Sequence, residues 1–598
     1  MRIASRMVGW LLLIAAVIAG GCSDQAEKRQ TTPEVAKLLR MVPVDAPYVS
    51  VLARKKKLPP LLVDKMLQSQ NLSVERRKYG MDTALDGWRA AGILDRDLAE
   101  KLRQLSYALI EETAGKYSAE GWRSLGMEPN PHGVLYGLGI FPVFWQEIAD
   151  QEKLNAFLER VETRSGLIAE KRHWKSQAYR YLALGPVSAL VAVREGYLVL
   201  AVLPAGKEAE LLPRVFGMER PQQSLADGKF ARMAQERGFP GYGEGYLDTL
   251  EMLKAVRKAV EQGELPQWLP SDCQGLAEGV ARNIPLLSFG LTGVSEHRWQ
   301  FSVTVEAVAE ITSYLQKIPA VVPGLGENSR ALLNMGAGVN IPRLRDAINS
   351  SLRYVIKSGK GCSLIDEELL TKVIQGVSMG LNPMLAGIQG FNMNLDALEV
   401  DPETMKPKKL EGQILLAAKD PSGMLGILSS VVPELTQTAI PTDGTPVTLP
   451  LGDKLPVSTP VFVAVKGEAL AAAIGDEARA KVRQALDAPV SHPSPLFALS
   501  FDLSKVLPLI LLLEKQFLHT QEQTLQDLEA LAAGGEADDE SLRDSIQSLK
   551  ETVEQLRRNQ ENAQEMFAEI VRSYRRGGTW IYVTDHGLEL RLIYDLKE

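Results

Sequence analysis

Short segments in which apolar and polar residues alternate recur along the chain, and this pattern is typical of half-buried β-strands. Two such segments surround a polar turn in each of the ranges 286–305, 391–418 and 579–595, so each range predicts a β-hairpin. A further hairpin at 191–202 aligns without gaps on 463–474, and a charged helical stretch follows both. The chain therefore repeats a unit made of a hairpin and a helix.

A second repeated pattern is a short apolar strand followed by a capping residue and a helix. It occurs four times, with the capping side chain at Asp248, Asn340, Asp420 and Asp502. Asp and Asn side chains accept hydrogen bonds from the first free amides of a helix. We therefore expect these four side chains to be helix N-caps rather than catalytic groups.

The order of the predicted elements gives the same series twice. Each series runs strand, helical excursion, hairpin and helix, second hairpin and helix, strand, helical excursion and closing hairpin. This order predicts an α+β fold with two similar halves of antiparallel sheet and helices, at about 46–325 and 326–598. Because the two series share little residue identity, a chance repetition of common α+β elements is the alternative.

Apolar residues at helical spacing mark the longest excursions. One stripe belongs to the first half, and a longer one predicts an antiparallel helical hairpin at about 504–576, with its turn at 532–539. The stripes consist of Leu98, Leu102, Leu105 and Leu109, and of Leu542, Ile546, Leu549, Val553 and Leu556. Such an arm either packs on its partner helix and the body or projects as a contact surface for another protein.

The first 22 residues carry a different pattern. Arg2 and Arg6 precede an apolar run at 8–19, which is too short for a comfortable membrane span and is typical of a secretory signal. The run ends in Ala19-Gly-Gly-Cys22, which resembles the lipobox of bacterial lipoproteins.

The lipobox resemblance implies removal of residues 1–21 and acylation of Cys22. Residues 23–34 are polar without an apolar period, which predicts a tether, so we expect 22–45 to comprise the acylated cysteine and its tether. Ser23 follows the cysteine, which in lipoprotein sorting implies the outer membrane, facing the periplasm, rather than the inner membrane. A plain secretory signal with a nearby cysteine is the alternative.

The start of the folded region carries a second resemblance. Val42-Pro-Val-Asp-Ala-Pro-Tyr-Val49 is similar to the opening strand of an uncharacterised family of bacterial envelope proteins. The motif covers a small part of the chain and implies no catalytic residues.

Composition narrows the classes of function. Apolar residues make up 45% and charged residues 24% of the 598 positions, as in ordinary globular proteins, and the net charge of −7 argues against nucleic-acid binding. Two cysteines, Cys273 and Cys362, remain besides Cys22, so an oxidising compartment predicts a disulfide between them. Two buried free thiols are the alternative.

Candidate chemistry is sparse. The six histidines lack the spacing of a zinc helix, so we expect no metal and no cofactor. Gly376-Val-Ser378-Met-Gly380 matches the nucleophile pattern of hydrolases, but a helical segment precedes it where a strand is required. The basic run Arg54, Lys55, Lys56 and Lys57 either contacts anionic head groups at a membrane surface or lies in a solvated loop.

These observations predict a membrane-anchored envelope lipoprotein that acts as a non-enzymatic binding or scaffold protein. Its contacts would be made by the long helical arms or by the groove between the two halves, with another envelope protein as the expected partner. A periplasmic carrier of a lipid or other apolar ligand is the first alternative. A hydrolase that uses Ser378 or acidic residues assembled by folding is the second.

Overall fold

The computed structural model describes the chain from residue 33 to residue 597 with several gaps. The described ranges are 33–52, 59–68, 72–90, 92, 94–265, 267, 269–327, 329–381, 387–402, 404–451, 457, 459–533 and 540–597. The predicted signal, Cys22 and the basic run Arg54, Lys55, Lys56 and Lys57 lie outside the described residues.

The first half alternates strands with helical excursions. Its elements are α1 (Pro33–Leu39), β1 (Tyr48–Leu52), α2 (Pro60–Gln68), α3 (Val74–Ala90), α4 (Arg96–Glu112), α5 (Ala119–Ser124), β2 (Gly133–Leu138), β3 (Phe141–Glu147), α6 (Gln151–Ser165), β4 (Glu170–Trp174), β5 (Gln177–Ala183), β6 (Val187–Arg194), β7 (Tyr197–Pro204), α7 (Glu208–Val215), α8 (Lys229–Glu236), β8 (Glu244–Asp248), α9 (Thr249–Glu261), α10 (Gln274–Asn283), β9 (Leu286–Ser295), β10 (Arg298–Glu306) and α11 (Ala309–Leu315).

The second half runs through the same kinds of element. They are β11 (Leu333–Gly338), α12 (Ile341–Ser358), α13 (Glu367–Gly380), β12 (Ile388–Val400), β13 (Pro407–Ala418), α14 (Pro421–Leu428), α15 (Glu434–Gln437), β14 (Val447–Leu449), β15 (Val461–Lys466), β16 (Ala469–Ile474), α16 (Ala478–Leu486), β17 (Phe497–Asp502), α17 (Leu503–Ala533), α18 (Glu540–Ser573), β18 (Tyr574–Thr584) and β19 (Gly587–Leu596).

All 19 strands of the described residues belong to one sheet, and every ladder between them is antiparallel. The pairings give the spatial order β4-β5-β6-β7-β3-β2-β1-β8-β9-β10-β19-β18-β17-β11-β12-β13-β16-β15-β14. The strands on the two sides of the β10–β19 pair follow one another in the same order. Going outward from this pair, β9, β8, β1, β2, β3 and β7 on one side are equivalent to β18, β17, β11, β12, β13 and β16 on the other. The predicted α+β class with two similar halves of antiparallel sheet is confirmed.

The β10–β19 ladder joins the halves edge to edge. It pairs Arg298–Glu306 with Gly587–Asp595 over nine residue pairs. The hydrogen-bonded sheet is therefore continuous across the predicted division near residue 325, which falls in the connection from α11 to β11.

The helical excursions of one half pack against those of the other. The predicted disulfide between Cys273 and Cys362 is present and joins the start of α10 to the loop after α12. The long helices α17 and α18 form the predicted antiparallel hairpin, with an Arg557–Glu522 ion pair at 2.7 Å, and Gln555 donates a hydrogen bond to the Tyr79 hydroxyl of α3. Leu503 and Leu507 of α17 belong to one apolar cluster with Trp299 of β10 and Tyr594 of β19.

The four predicted N-caps are confirmed. Asp248 accepts from the Glu251 N–H at 3.0 Å, and Asn340 accepts from the Arg343 N–H at 3.2 Å. The carboxylates of Asp420 and Asp502 likewise accept backbone hydrogen bonds, from Gly423 at 2.9 Å and from Ser504 at 3.1 Å.

Ser378 lies inside α13, where its hydroxyl donates to the Ile374 carbonyl at 2.8 Å. A nucleophile elbow requires a strand–turn–helix, so this serine does not have the surroundings of that motif. No helix among the described residues has the length and apolar character needed to cross a membrane.

Candidate binding groove at the junction of the two halves

One face of the sheet is covered in the first half. Residues 216–243 connect α7 to β8 and contribute Phe230 and Phe239 to the core cluster on this face. Directly beneath them, Tyr246, Val49 and Tyr136 are cross-strand neighbours on β8, β1 and β2, and each is only 1% exposed. Aromatic and aliphatic side chains therefore fill the whole space between this face and its cover.

The equivalent face of the second half has a much shorter cover. The connection from α16 to β17 comprises only residues 487–496. The equivalent cross-strand neighbours on β17, β11 and β12 are Ser500, Asn334 and Asn394, and the next strand adds Gln413. A stripe of amides and a hydroxyl thus replaces the apolar stripe of the first half.

Several atoms of this polar stripe have no hydrogen-bond partner among the described residues. They are Ser500 Oγ, Asn334 Oδ1 and Gln413 Oε1. Asn334 is fully buried, and its amide nitrogen donates to Asn392 at 2.7 Å and to Asn394 at 2.9 Å. A buried polar atom without a partner costs roughly 1–3 kcal/mol. Asn334 lies beneath the surface of this face, whereas Ser500 and Gln413 line the space above it, so their unpartnered atoms favour a polar ligand or solvent there.

Two cavities lie over the stripe and share Ser329 and Arg330. The first, of about 820 Å³, lies where the halves meet, and the second, of about 510 Å³, continues over β12 and β13. We call the two together the junction groove. The first cavity is lined by His297, Arg298, Glu327, Ser329, Arg330, Ser500, Asp502, Ser504, Arg575, Arg576, Gly577, Trp580, Ile593, Asp595, Leu596 and Lys597. The second is lined by Pro323, Gly324, Gly326, Ser329, Arg330, Ala331, Asn392, Asn394, Asp396, Gln413, Leu415, Lys481, Gln484, Ala485, Ala488, Pro489 and Ser491.

The first cavity has an excess of positive charge. Its described lining contains five arginine and lysine side chains and three carboxylates. The side chains of Arg330, Arg575 and Lys597 make no ion pair or hydrogen bond within the described part of the chain, whereas Arg576 donates to the Ala331 carbonyl at 3.0 Å. Burial lowers the pKa of Arg576 from its usual range. The carboxylates of Asp502 and Asp595 raise it in part, and neighbouring Arg575 and Arg330 lower it again. The cationic charge therefore lacks a full counter-charge.

Two of the three carboxylates already have partners. Glu327 accepts from the Tyr582 hydroxyl at 2.9 Å and from Arg591 at 3.3 Å, and Asp502 caps α17. The first-half residue equivalent to Asp595 is Glu306. Arg237, in the connection 216–243 that covers the first half, donates a hydrogen bond to Glu306 at 2.8 Å. No equivalent cover residue reaches Asp595, whose nearest described cation, Arg298, lies at 3.8 Å.

Trp580 holds the loop that carries Arg330. Its indole N–H donates to the Gly326 carbonyl at 3.1 Å, and the ring lies over Gly578, where a Cβ would come within 2.3 Å of it. The glycine at 578 is therefore required for this ring position. The loop wall of the groove is fixed by a buried side chain of the sheet.

The far end of the groove is electrically balanced. The Lys481 ammonium lies 2.8 Å from Asp396 and 3.2 Å from Glu411. Although burial lowers the pKa of Lys481, its hydrogen bonds to these two carboxylates raise it more, so the lysine stays charged. The unbalanced cations are confined to the end near the junction.

A second surface lies on the helical hairpin. Leu513, Phe517 and Leu531 of α17 are each more than half exposed. The prediction that this arm contacts another protein stays a prediction. In the part of the chain described, no three or more His, Cys, Asp and Glu side chains are grouped to hold a metal ion.

Of the predicted site residues, the structure brings Cys273 and Cys362 together, whereas Cys22 and the basic run at 54–57 lie outside the described residues. Sequence reasoning missed the groove residues. The sequence did contain one signal for the groove, at the strand position two residues before each equivalent cap. This residue is the large Tyr246 before Asp248 but the small, polar Ser500 before Asp502.

Comparisons of the chain with protein-family models, with curated proteins and with solved structures found no match.

Proposed function

We propose that this protein is a lipid-anchored, non-enzymatic binding protein of the bacterial envelope that holds a polar ligand in the junction groove. The anchor is Cys22, and the outer membrane, facing the periplasm, is its proposed location. One observation carries the binding function. The face of one half-sheet is covered over Tyr246, Val49 and Tyr136, whereas the equivalent face of the other half carries the junction groove, which Ser500, Asn394 and Gln413 help to line.

Binding is favoured over catalysis by what the polar groups of the groove already do. Glu327 and Asp502 are engaged in hydrogen bonds that hold a loop and a helix. The Ser378 hydroxyl donates a hydrogen bond to the Ile374 carbonyl within helix α13. Asp595 is the one carboxylate in the described lining of the first cavity without a hydrogen bond, and a hydrolase would need a second acid, base or nucleophile placed to act with it on a substrate.

The carrier of a lipid or apolar ligand is less well supported. Such a carrier needs a cavity lined mainly by apolar side chains. The floor of the junction groove includes instead the amides of Asn394 and Gln413 and the Ser500 hydroxyl. These groups favour a ligand that is itself rich in hydrogen-bonding atoms.

The helical hairpin is a second candidate contact surface. Leu513 and Phe517 lie one turn apart on α17 and are 56% and 55% exposed. Two large apolar side chains at this spacing can contact a partner helix or sheet.

Filling the groove tests the proposed function. Ser500→Tyr restores the residue type found at the equivalent Tyr246, so it should occupy the first cavity and leave the fold intact. We expect native mass spectrometry to detect a bound envelope molecule on the full-length wild-type protein and at least a tenfold lower occupancy on this variant. Ser378→Tyr makes the same chemical change at an exposed position of the same half and should keep the bound molecule. A wild-type protein without any bound molecule, or equal occupancy in all three proteins, would contradict the proposal.

A further inference from the structure

Resting on the proposed function, we infer that the ligand of the junction groove is an acidic oligosaccharide. Its carboxylate is placed beside Arg330 and Arg576, and its hydroxyl groups lie on the polar side chains of β17, β12 and β13 that line the groove, Ser500, Asn394 and Gln413. The charges, the stripe and the position on the sheet each support one part of this inference.

The charges identify the ligand as an anion. Arg330 and Arg575 lack ion-pair partners within the described residues, and both lie near the half-buried Arg576. Arginine binds carboxylates through paired N–H donors, which makes it a common residue for recognising such groups. The carboxylates of the same cavity, Glu327, Asp502 and Asp595, balance only part of this charge, because the described lining carries five arginine and lysine side chains against these three.

The stripe identifies the rest of the ligand as polar and extended. Ser500, Asn394 and Gln413 line the groove from β17, β12 and β13. With β11 between β17 and β12, these strands together span about 14 Å at the usual spacing between strands. Amide and hydroxyl groups both donate and accept hydrogen bonds, as sugar hydroxyls do. A span of this length suits an oligomer better than one small molecule.

The position on the sheet argues against an extended peptide. Peptides add to an exposed sheet edge through main-chain hydrogen bonds. The floor of the groove is the face of central strands, and β11 is paired on both sides, with β12 and with β17. Only side chains are available there, so recognition depends on side-chain hydrogen bonds and charge.

Isothermal titration calorimetry of the full-length protein in detergent tests the inference, with a tetramer of galacturonic acid as the probe and its methyl ester as the uncharged counterpart. We expect the acid to bind at least tenfold more tightly than the ester. Arg330→Gln should weaken binding of the acid about tenfold and leave binding of the ester unchanged, because one charge-assisted contact is lost. Gln413→Leu should weaken binding of both.

The matched control is Arg220→Gln, which removes an exposed arginine from the first half and should leave the affinity for the acid unchanged. Equal affinity for acid and ester, or no binding of either, would overturn the inference. Binding of anionic phospholipid vesicles in place of the acid would also overturn it and assign the cations to a lipid head group. If the acid fails to bind while Ser500→Tyr still removes the native bound molecule, the ligand class is wrong and the proposed function stands. If Ser500→Tyr also has no effect, both fail.

Discussion

Replacing Cys273 and Cys362 together by alanine should lower the free energy of unfolding by roughly 4–5 kcal/mol, as the chain-entropy account gives for a loop of this length. The two cysteines are 89 residues apart, and the loop between them contains β9, β10 and β11, so the bridge ties strands of both halves together. Removing the disulfide increases the conformational entropy of the unfolded chain. Urea unfolding followed by tryptophan fluorescence should show the midpoint moving to lower urea concentration.

Reduction provides the matched control for this prediction. Dithiothreitol should shift the midpoint of the wild-type protein toward that of the double variant and should leave the double variant unchanged. A variant as stable as the oxidised wild-type protein would contradict the role given to the bridge. Alkylation of both cysteines in protein taken from the envelope without reduction would contradict the bridge itself.

Replacing Cys22 by serine should move the protein out of the membrane fraction. Serine has no thiol to accept the lipid, so labelling with radioactive fatty acid should be lost and an uncleaved or soluble precursor should accumulate. Each buried methylene of an acyl chain contributes about 0.8 kcal/mol to membrane binding, and more than one chain is needed for stable anchoring. The effect on localisation should therefore be close to complete.

Ser23→Ala is the control for the Cys22 variant, because it changes the adjacent residue and keeps the thiol. It should be labelled and cleaved as the wild-type protein is. Unchanged labelling of Cys22→Ser would refute the lipobox assignment and with it the proposed anchor.

The sequence predicted those parts of the fold that depend on local pattern. The caps at Asp248 and Asp502 follow from one side chain and the next few amides, and the hairpin at 579–595 follows from alternation around a polar turn. The repetition of these local units was enough to predict two similar halves. It could not predict that β10 pairs with β19, because nothing in an edge strand specifies which distant edge it meets.

A groove between the two halves was predicted, but the residues that line it could not be, for a related reason. Asn334 and Asn394 are ordinary polar positions of alternating strands, and only the register of β11 on β12 makes them neighbours. Whether that face is covered depends on the packing of a distant connection, residues 216–243 in one half and 487–496 in the other. A difference in the length of a connection is visible in the sequence, but the face that it covers is not.

Two equivalent helices offer positions for a direct test of the central claim, which is that ligand contacts are made over the second half and not over the first. Val482 and Ala485 of α16 are buried at the same spacing as Leu212 and Val215 of α7. Gln484, the exposed residue before Ala485, lines the junction groove. Arg214, the exposed residue before Val215, does not line it.

The measurement is photo-crosslinking in intact cells with a benzophenone amino acid placed singly at Gln484, at Arg214 and at Phe517 of the helical arm. The account predicts a specific crosslinked product from position 484, its loss when Ser500→Tyr is added, and no product from position 214. Equal products from positions 484 and 214, or a product from position 517 alone, would contradict the claim that the open face of the second half is the binding surface.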